Sequence, residues 1–375
     1  MTPEETTIYS LKEAGAGMAA ALPCDRNKAL YQALFQSFQT VELSREEEGV
    51  GIAAGAVMAG EKPFLLIQNS GLGNMVNAIG SLSRHYSFPL PILMSWRGMA
   101  SETIEAQRWM GGYVPKIMEA MDIPYHKINS VEDLSILGDT LSGVFGKNEI
   151  RGYLFEPAVW KNSAFTPPPF PEAQGPGRLA PFEEVFPVPK ARRYDFIKAA
   201  GGALSGKALV SNIGAPSKEV FDVVDQPSNF YMLGSMGMAT PIALGMALCS
   251  GKTVVAIDGD GSVLMNPSTM ATVARSKPAN LVIFLVDNGS YGSTGDQPTA
   301  TSGVTDLSRV ARGFGIGRIL RTADPDEAAE AVGGFAKDGP LLIHAIALPG
   351  NAKVPNITRS PLEIRKGVED FLQTG

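Results

Sequence analysis

Short apolar runs alternate with longer segments of mixed apolar and polar residues along most of the chain. Runs such as residues 64–67, 253–257 and 281–286 predict buried strands, and the segments between such runs, for example residues 50–58, predict helices. A strand that is apolar at every position is typical of a parallel sheet covered on both faces. The pattern therefore predicts an α/β fold built from parallel sheets flanked by helices.

Two segments depart from this alternation. Residues 11–40 are predicted to be mostly helical, with a turn at residues 22–25. Residues 166–189 are rich in proline, which fixes φ and lacks a backbone N–H donor, so we expect an extended linker there. We therefore predict two domains, residues 1–165 and residues 190–375, joined by this linker.

Polar, glycine-rich sequences follow two apolar runs of the second half, DGDGS at residues 258–262 and DNGS at residues 287–290. Because parallel sheets bind ligands beyond the carboxyl ends of their strands, Asp260 and Asn288 are expected to converge there. Their oxygen atoms suit a hard cation such as Mg²⁺ or Ca²⁺, and the glycines let phosphate oxygens approach backbone N–H groups. A cation that bridges a carboxylate to a diphosphate is the simplest use of this layout. An ordinary crossover with polar turns is the alternative.

The strand ends of the first half also carry candidate functional groups. Three glutamates, residues 46–48, open a helix, where carboxylates are often only favourable charges near the positive end of the helix dipole. The sequence QNSGLGN, residues 68–74, is either a glycine-containing turn or a contact loop for a substrate or cofactor. Arg97 is a candidate clamp for an oxyanion because its guanidinium offers paired donors, although an arginine in a loop can simply be solvated.

Charge and cysteine content narrow the functional classes. The net charge is −6 and no basic run occurs, so nucleic acid is not expected as a partner. No apolar segment reaches the roughly 18 residues of a membrane span, and the N-terminus lacks the pattern of a secretory signal, so we expect no membrane partner. The two cysteines, Cys24 and Cys249, give no disulfide framework and favour a reducing, cytoplasmic location. The histidines lie in no recognisable motif and are expected to be structural; they are His85, His126 and His344.

These segments together resemble a known enzyme family. GDGS, followed by a helix and a strand that ends in DNG, is similar to the diphosphate-binding motif of thiamine diphosphate (ThDP) enzymes. REEEGVGIAAG, QNSGLGN, SWRG and EAQ resemble the pyrimidine-binding half of the sulfopyruvate and phosphonopyruvate decarboxylases. The resemblance covers most of the chain and is weakest at the N-terminus and in the linker. It implies a pyrimidine-binding domain before the linker and a diphosphate-binding domain after it.

The resemblance implies ThDP and Mg²⁺ as cofactors. The metal would be held by Asp260, the Asn288 side chain and the Ser290 backbone carbonyl. The remaining expected cofactor contacts are Gly234, Ser235, Met236, Gly259, Gly261, Ser262 and Tyr291. Met236 would separate the two rings of the cofactor, although a methionine in an apolar stretch is more often core filler.

A glutamate activates the cofactor in this family. The family places it at a fixed interval before the glycine of an AAxG-like helix motif, and counting back from Gly55 selects Glu46, with Glu47 as the alternative. A carboxyl group hydrogen-bonded to the pyrimidine N1′ favours the tautomer whose 4′ nitrogen can take the thiazolium proton. Glu46 is therefore the expected catalytic residue.

The implied reaction is the non-oxidative decarboxylation of a small anionic 2-oxoacid. The sequences DNGSYGSTGDQPT and REEEG favour 3-sulfopyruvate, which would give sulfoacetaldehyde and CO₂. The alternatives are phosphonopyruvate, which would give phosphonoacetaldehyde, and another ThDP-dependent 2-oxoacid reaction. Asn74, Arg97 and Gln107 are the candidate substrate contacts. The family also implies an obligate homo-oligomer, a dimer or larger, with the active site between subunits.

Three rival classes lack a matching feature. A ThDP-dependent oxidoreductase would need an iron–sulfur or flavin partner, and two unclustered cysteines provide no cluster. A nicotinamide-binding protein would need GxGxxG after its first strand, which is not clear in this sequence. A regulatory ThDP-binding protein would leave Glu46 without a function.

Overall fold

The computed structural model describes residues 1–99, 102–170 and 185–374. The proline-rich segment predicted over residues 166–189 is described only at its two ends, which are irregular, and residues 171–184 lie outside the described part. The predicted domain limits on either side of this segment stay a prediction.

The described residues form two compact units. The first comprises residues 1–57 and 61–170, and the second comprises residues 58–60 and 185–374. Each unit contains a six-stranded sheet whose strand pairings are parallel. The predicted fold class, parallel sheets flanked by helices, is confirmed.

The first unit builds its sheet from strands that are largely buried. The strands are Met18–Ala21 (β1), Gln39–Glu42 (β2), Pro63–Gln68 (β3), Leu90–Ser95 (β4), Tyr125–Ile128 (β5) and Ile150–Phe155 (β6). The helices are Pro3–Glu13 (α1), Lys28–Ser37 (α2), Glu46–Met58 (α3), Leu72–Ala78 (α4), Glu105–Ala120 (α5) and Ser135–Gly146 (α6). The strand order is β2-β1-β3-β4-β6-β5. Because Gln68 pairs with Ser95 at the ends of β3 and β4, the side chains that follow these strands gather at one edge.

One expectation for this unit is wrong in part, because residues 11–40 contain a strand as well as helix. Met18–Ala21 forms β1, between β2 and β3, where Met18 pairs with both Gln39 and Pro63. Methionine and alanine are good helix formers, but intrinsic propensity is a weak prior that sheet pairing and burial override. The helix predicted after the turn is present as α2.

The second unit repeats this architecture with a different sequence. Its strands are Ala208–Ser211 (β7), Asn229–Tyr231 (β8), Val254–Gly259 (β9), Leu281–Asp287 (β10), Ser290–Tyr291 (β11), Gln297–Pro298 (β12), Arg318–Thr322 (β13) and Leu341–Ile346 (β14). Its helices are Arg193–Leu204 (α7), Ala215–Val223 (α8), Ala239–Cys249 (α9), Asp260–Met265 (α10), Thr269–Ser276 (α11), Leu307–Gly313 (α12), Pro325–Gly333 (α13) and Pro361–Gln373 (α14). The sheet order is β13-β14-β10-β9-β7-β8, and β11 and β12 form a separate antiparallel hairpin.

The register of the two central strands of this unit sets the position of the candidate cofactor residues. Strands β9 and β10 are neighbours, and Val286 lies opposite Gly259. The residues that follow, Asp260 on one strand and Asn288 on the other, therefore leave the sheet at the same edge. All seven residues of β10 are buried, as expected for a strand covered on both faces. In the described part of the chain, no helix is long and apolar enough to cross a membrane.

Candidate active site

The first unit surrounds Glu46 with the loop that follows β3. Glu46 begins α3, four positions after the last residue of β2, and its side chain is buried. The Asn74 amide Nδ2 donates a hydrogen bond to Glu46 Oε2 at 2.9 Å. A methyl group on Gly71 would lie only 2.5 Å from Glu46 Cγ and Oε1. The glycine and the asparagine of the QNSGLGN sequence are therefore the residues that make room for this carboxyl group and hold it.

The two neighbouring glutamates have different surroundings. Glu48 is fully buried, and its Oε1 accepts a hydrogen bond from the Ser44 N–H at 2.6 Å, just before the helix begins. It therefore supports the helix start, the structural role considered for all three. Glu47 lies 3.4 Å from the Arg45 guanidinium, and burial raises the pKa of Glu47 against the opposing effect of Arg45. Glu46, in contrast, contacts Asn74 and the space beside Gly71.

Arg97 follows β4 and is buried, but it already has two anionic partners. Its Nε donates to Glu102 Oε2 at 2.6 Å, and its Nη1 donates to Asp25 Oδ1 at 2.8 Å. The hydrogen bond from Arg97 lowers the pKa of Glu102 to about 2 even though burial opposes it. The Glu102 side chain is 5% exposed and the Asp25 side chain is 63% exposed. The guanidinium is thus fixed by one buried carboxylate and reaches a second carboxylate that faces solvent.

Gln107, at the start of α5, belongs to a polar cluster at the same sheet edge. The Gln68 amide Nε2 donates to Gln107 Oε1 at 3.2 Å and to Ser70 Oγ at 2.6 Å. The Cys24 thiol lies 3.4 Å from Gln68 Oε1 and 3.5 Å from Ser95 Oγ. Gln68, the first residue of the QNSGLGN sequence, therefore connects Gln107 to Ser70 and Cys24.

In the second unit, the DGDGS sequence spans the end of β9 and the start of α10. Asp258 is buried and accepts hydrogen bonds from the Thr240 hydroxyl at 2.8 Å and the Gly259 N–H at 3.0 Å. Burial raises the pKa of Asp258. The Ser262 hydroxyl accepts a hydrogen bond from the Gly237 N–H at 3.1 Å. This bond connects two sequences that were expected to contact one cofactor, GDGS and GSMG.

The GSMG sequence adopts an unusual backbone. Ser235 has φ of +54° although it is not a glycine, and its side chain is buried. Conformations of this kind cost about 1–3 kcal/mol and concentrate at ligand sites. Met236 is half-buried, whereas Met238 is 1% exposed and belongs to the core. Met236 therefore does not act as core filler in this unit, and its contact with a cofactor stays a prediction, as does that of Gly234.

Asp260 and Asn288 are both buried at the shared edge of β9 and β10. The Thr301 hydroxyl lies 3.1 Å from Asp260 Oδ2, and the Thr299 hydroxyl donates to the same oxygen. Burial is the main cause of a raised Asp260 pKa, and the charge of Asp287 adds to it. The sequence placed Asp260 and Asn288 at this edge, but it did not identify either threonine.

The residues at this edge fit a metal-bound diphosphate. The Asn288 side chain accepts from the Ser290 N–H at 3.2 Å, whereas its Nδ2 is buried and has no hydrogen-bond partner among the described residues. Asn212, at the end of β7, has a buried Oδ1 with no partner in the same part of the chain. An unpaired buried polar atom costs about 1–3 kcal/mol, so a bound polar group that paired with these two atoms would remove that cost. Asn212 was missed by sequence reasoning, and its place at a strand end was the one signal for it.

Of the expected cation ligands at this edge, only Asp260 is acidic. A carboxylate, an amide oxygen and a backbone carbonyl are a suitable set of hard ligands for Mg²⁺. Within the described ranges, no group of three or more His, Cys, Asp or Glu residues could hold a metal. A cation at Asp260 would therefore depend on Asn288, the Ser290 carbonyl and the oxygen atoms of a bound diphosphate.

The Gly-rich segment after Ser290 is anchored at both ends. Strands β11 and β12 form a hairpin, and the Tyr291 ring lies against Gly261, where a methyl group would be 2.3 Å from Tyr291 Cε1. The Asn351 amide donates to the Gly292 carbonyl at 2.8 Å. Tyr291 therefore contacts the GDGS turn through a glycine, as a cofactor-binding role would require, although that role remains a prediction.

Comparisons with known proteins agree with this arrangement. Residues 1–117 match the N-terminal TPP binding domain of thiamine pyrophosphate enzymes, and residues 213–345 match their C-terminal TPP binding domain. The chain is 40% identical to a sulfopyruvate decarboxylase of Methanosarcina acetivorans, over 99% of this chain and 98% of that protein. It is 30% identical to a phosphonopyruvate decarboxylase of Streptomyces viridochromogenes, over 98% of this chain and 94% of that protein.

Two further similarities concern the halves and the fold. In Methanococcus maripaludis the sulfopyruvate decarboxylase alpha subunit is 39% identical over 33% of this chain and 76% of its own length. The beta subunit of the same organism is 42% identical over 46% of this chain and 93% of its own length. Benzoylformate decarboxylase from Polynucleobacter necessarius has a similar structure, with a TM-score of 0.68 over 92% of this chain and 98% of that chain. At 15% identity, that last similarity supports the fold alone.

Proposed function

We propose a reaction for this chain, which belongs to the decarboxylases of the thiamine pyrophosphate enzyme family. It converts 3-sulfopyruvate to sulfoacetaldehyde and CO₂, with ThDP and Mg²⁺ as cofactors. The observation that carries this choice is the 40% identity, over nearly the whole of both chains, to a sulfopyruvate decarboxylase. The similarity to a phosphonopyruvate decarboxylase is lower but equally extensive, so phosphonopyruvate is the second candidate substrate.

The cofactor would be held between subunits, by residues of the first unit of one copy and of the second unit of another. When bound, ThDP supplies a thiazolium ring that takes up the electron pair released as CO₂ leaves. Asp260, Asn288 and the Ser290 carbonyl would hold Mg²⁺ on the diphosphate. Glu46 would hydrogen-bond the pyrimidine ring as a general acid–base group, and the bond from Asn74 would keep its carboxyl group in position. The Gly234 carbonyl and Met236 would orient the pyrimidine.

Arg97 would bind the distal anion of the substrate. Glu102 holds the guanidinium from a buried position, whereas Asp25 is exposed and can turn away into solvent. A sulfonate could then replace Asp25 at Arg97 Nη1 without moving the arginine. The Arg97–Glu102 pair carries no net charge, so it would bind the distal anion through hydrogen bonds rather than through excess positive charge. The choice of sulfonate over phosphonate therefore rests on the ranking of the two relatives.

We further propose a homo-oligomer in a cytoplasmic location. Three large apolar side chains are exposed on the single chain, Ile104 just before α5 and Trp109 and Tyr113 in its first nine residues, at 51%, 60% and 46%. The rings of Trp109 and Tyr113 stack at 6.1 Å, and a clustered apolar surface of this kind is typical of an interface. Both cysteines are free, as a reducing compartment requires. Sedimentation velocity of the purified protein should detect a dimer or larger species, and a monomer at micromolar concentration would contradict the oligomer.

A side-by-side assay tests the substrate. Purified protein with ThDP and Mg²⁺ should release CO₂ from sulfopyruvate with a higher kcat/KM than from phosphonopyruvate or pyruvate. Removing divalent cations with EDTA should abolish turnover, and added Mg²⁺ should restore it. A higher kcat/KM for phosphonopyruvate would overturn the substrate assignment and leave the family unchanged.

A further inference from the structure

A buried histidine of the second unit, His344 on β14, lies in a chain of hydrogen bonds that leads to the candidate metal loop. Its Nδ1 is 2.6 Å from the Ser308 hydroxyl, and its Nε2 is 3.0 Å from Asp287 Oδ2. The Arg321 Nε lies 3.3 Å from the same Ser308 hydroxyl. His344 and Ser308 are fully buried, and Asp287 is 5% exposed. Residues that only filled the core would not need this series of polar contacts.

The donors and acceptors give the chain a direction. Arginine can only donate, so the Ser308 oxygen accepts from Arg321 and its own proton is available for His344 Nδ1. The ring proton of His344 is then on Nε2 and is donated to Asp287. A histidine whose two nitrogens are both engaged has a fixed ring orientation and a fixed tautomer. Asp287 Oδ2 is therefore held by His344, and Ser308 in turn holds the histidine ring.

Asp287 in turn organises the residues that follow it. Its Oδ1 accepts from the Gly289 N–H at 3.1 Å and from the Thr301 hydroxyl at 2.7 Å. Gly289 has φ of +63°, so the backbone turns sharply between the two expected metal ligands, Asn288 and Ser290. The orientation of the Asp287 carboxylate consequently sets the shape of the loop that carries both ligands.

We propose that Ser308 and His344 are positioning residues for the cation, acting through Asp287 on the loop at residues 288–290. The inference rests on the Mg²⁺–ThDP site proposed above. Neither residue touches that site, and neither was expected from the sequence to have more than a structural role. Groups that orient metal ligands in this way commonly change metal affinity by about 10- to 100-fold when they are removed.

The test measures metal binding without any turnover. Ser308→Ala removes the hydroxyl between Arg321 and His344. Ser308→Cys keeps nearly the same volume with a weaker donor, and serves if the alanine variant does not fold. Thr322→Val is the matched control, because Thr322 is another buried residue of this unit with a hydroxyl group. That hydroxyl donates to Glu327 and accepts from the Asp324 N–H, and neither partner belongs to the hydrogen-bond series from Arg321 to Asp287.

Isothermal titration of Mg²⁺ into each full-length protein at saturating ThDP gives the dissociation constant. The two Ser308 variants should raise the Mg²⁺ dissociation constant about tenfold or more. The dissociation constant of Thr322→Val should stay within about twofold of the wild-type value, even if its Tm falls by the same amount. Serine variants with the wild-type dissociation constant and a lowered Tm would overturn the inference and leave His344 as a structural residue. A wild-type protein that binds no Mg²⁺ with ThDP would instead overturn the cofactor site and, with it, the positioning role.

Discussion

Gly71→Ala should displace the carboxyl group of Glu46, the proposed catalytic residue, with little loss of stability. The added methyl carbon would lie 2.5 Å from Glu46 Cγ and Oε1 and 2.7 Å from Cδ. Ordinary contacts between carbon atoms are about 3.5–4.0 Å, so the side chain must move by about 1 Å. The hydrogen bond from Asn74 would be lost or lengthened by the same movement.

The expected loss of activity is large and the loss of stability is small. A displacement of about 1 Å in a reacting group can reduce the rate about 100-fold, which corresponds to about 2.7 kcal/mol of transition-state free energy. Gly71 has φ of −63° and ψ of −21°, a helical conformation that alanine adopts without strain. Replacing a glycine there typically stabilises by about 0.4–1 kcal/mol through the unfolded state, which offsets part of the cost of moving a flexible side chain.

Gly73→Ala is the control for this experiment. It adds the same methyl group two residues further along, in the first turn of α4, where the nearest atom is Met110 Cε at 3.8 Å, an ordinary contact. We expect kcat/KM to fall about 100-fold for Gly71→Ala and less than twofold for Gly73→Ala, with both Tm values within a few degrees of the wild type. A Gly71→Ala enzyme with the wild-type kcat/KM would refute the reasoning that Glu46 works in this position.

Three further changes test other parts of the site. Glu46→Gln should lower kcat by at least about 100-fold and leave the Mg²⁺ dissociation constant nearly unchanged; calorimetry and steady-state rates check this, and full turnover would favour a non-catalytic role. Arg97→Lys should raise KM for sulfopyruvate about tenfold with a smaller change in kcat, because a single ammonium cannot hold Glu102 and a substrate anion in the same fork; an unchanged KM would remove Arg97 from substrate binding. The pKa of Glu102 is about 2 in the folded protein and 4.5 is its ordinary value, so its pairing stabilises above pH 4.5 and is lost as the pH falls through about 2. Glu102→Gln should therefore show a smaller fall in Tm than the wild type between pH 4.5 and 2, and equal slopes would contradict the pairing.

The sequence was sufficient for the parts of the fold that depend on local pattern. Apolar runs identify the central strands, and the rule that parallel strands present their carboxyl ends at one edge predicts Asp260 and Asn288 at the same edge. Strand β1 was missed because Met18–Ala21 contains residues that also suit a helix, and only its pairing with β2 and β3 decides between the two.

Contacts between distant segments could not be predicted in this way. Asp25 reaches Arg97 across 72 positions, and Ser308 reaches His344 across 36, without a motif that connects either pair. The sequence therefore suggested Arg97 as an anion clamp but gave no indication that two carboxylates of the chain already occupy its guanidinium. It likewise suggested a structural role for His344, whose proposed positioning role depends on the hydrogen bond between Asp287 and the Gly289 N–H.

The three consecutive glutamates show why residue type and spacing select a site only up to a point. Successive residues of an α-helix point about 100° apart, so Glu46, Glu47 and Glu48 cannot face the same neighbour. Glu48 turns back to the N–H of Ser44, Glu47 lies near Arg45, and Glu46 accepts a hydrogen bond from Asn74. Moving the acid by one position would place a carboxylate of identical chemistry where neither Asn74 nor the space beside Gly71 is available. The interval to the later glycine motif therefore matters because it fixes the helical phase, and the phase decides which carboxyl group can reach a cofactor.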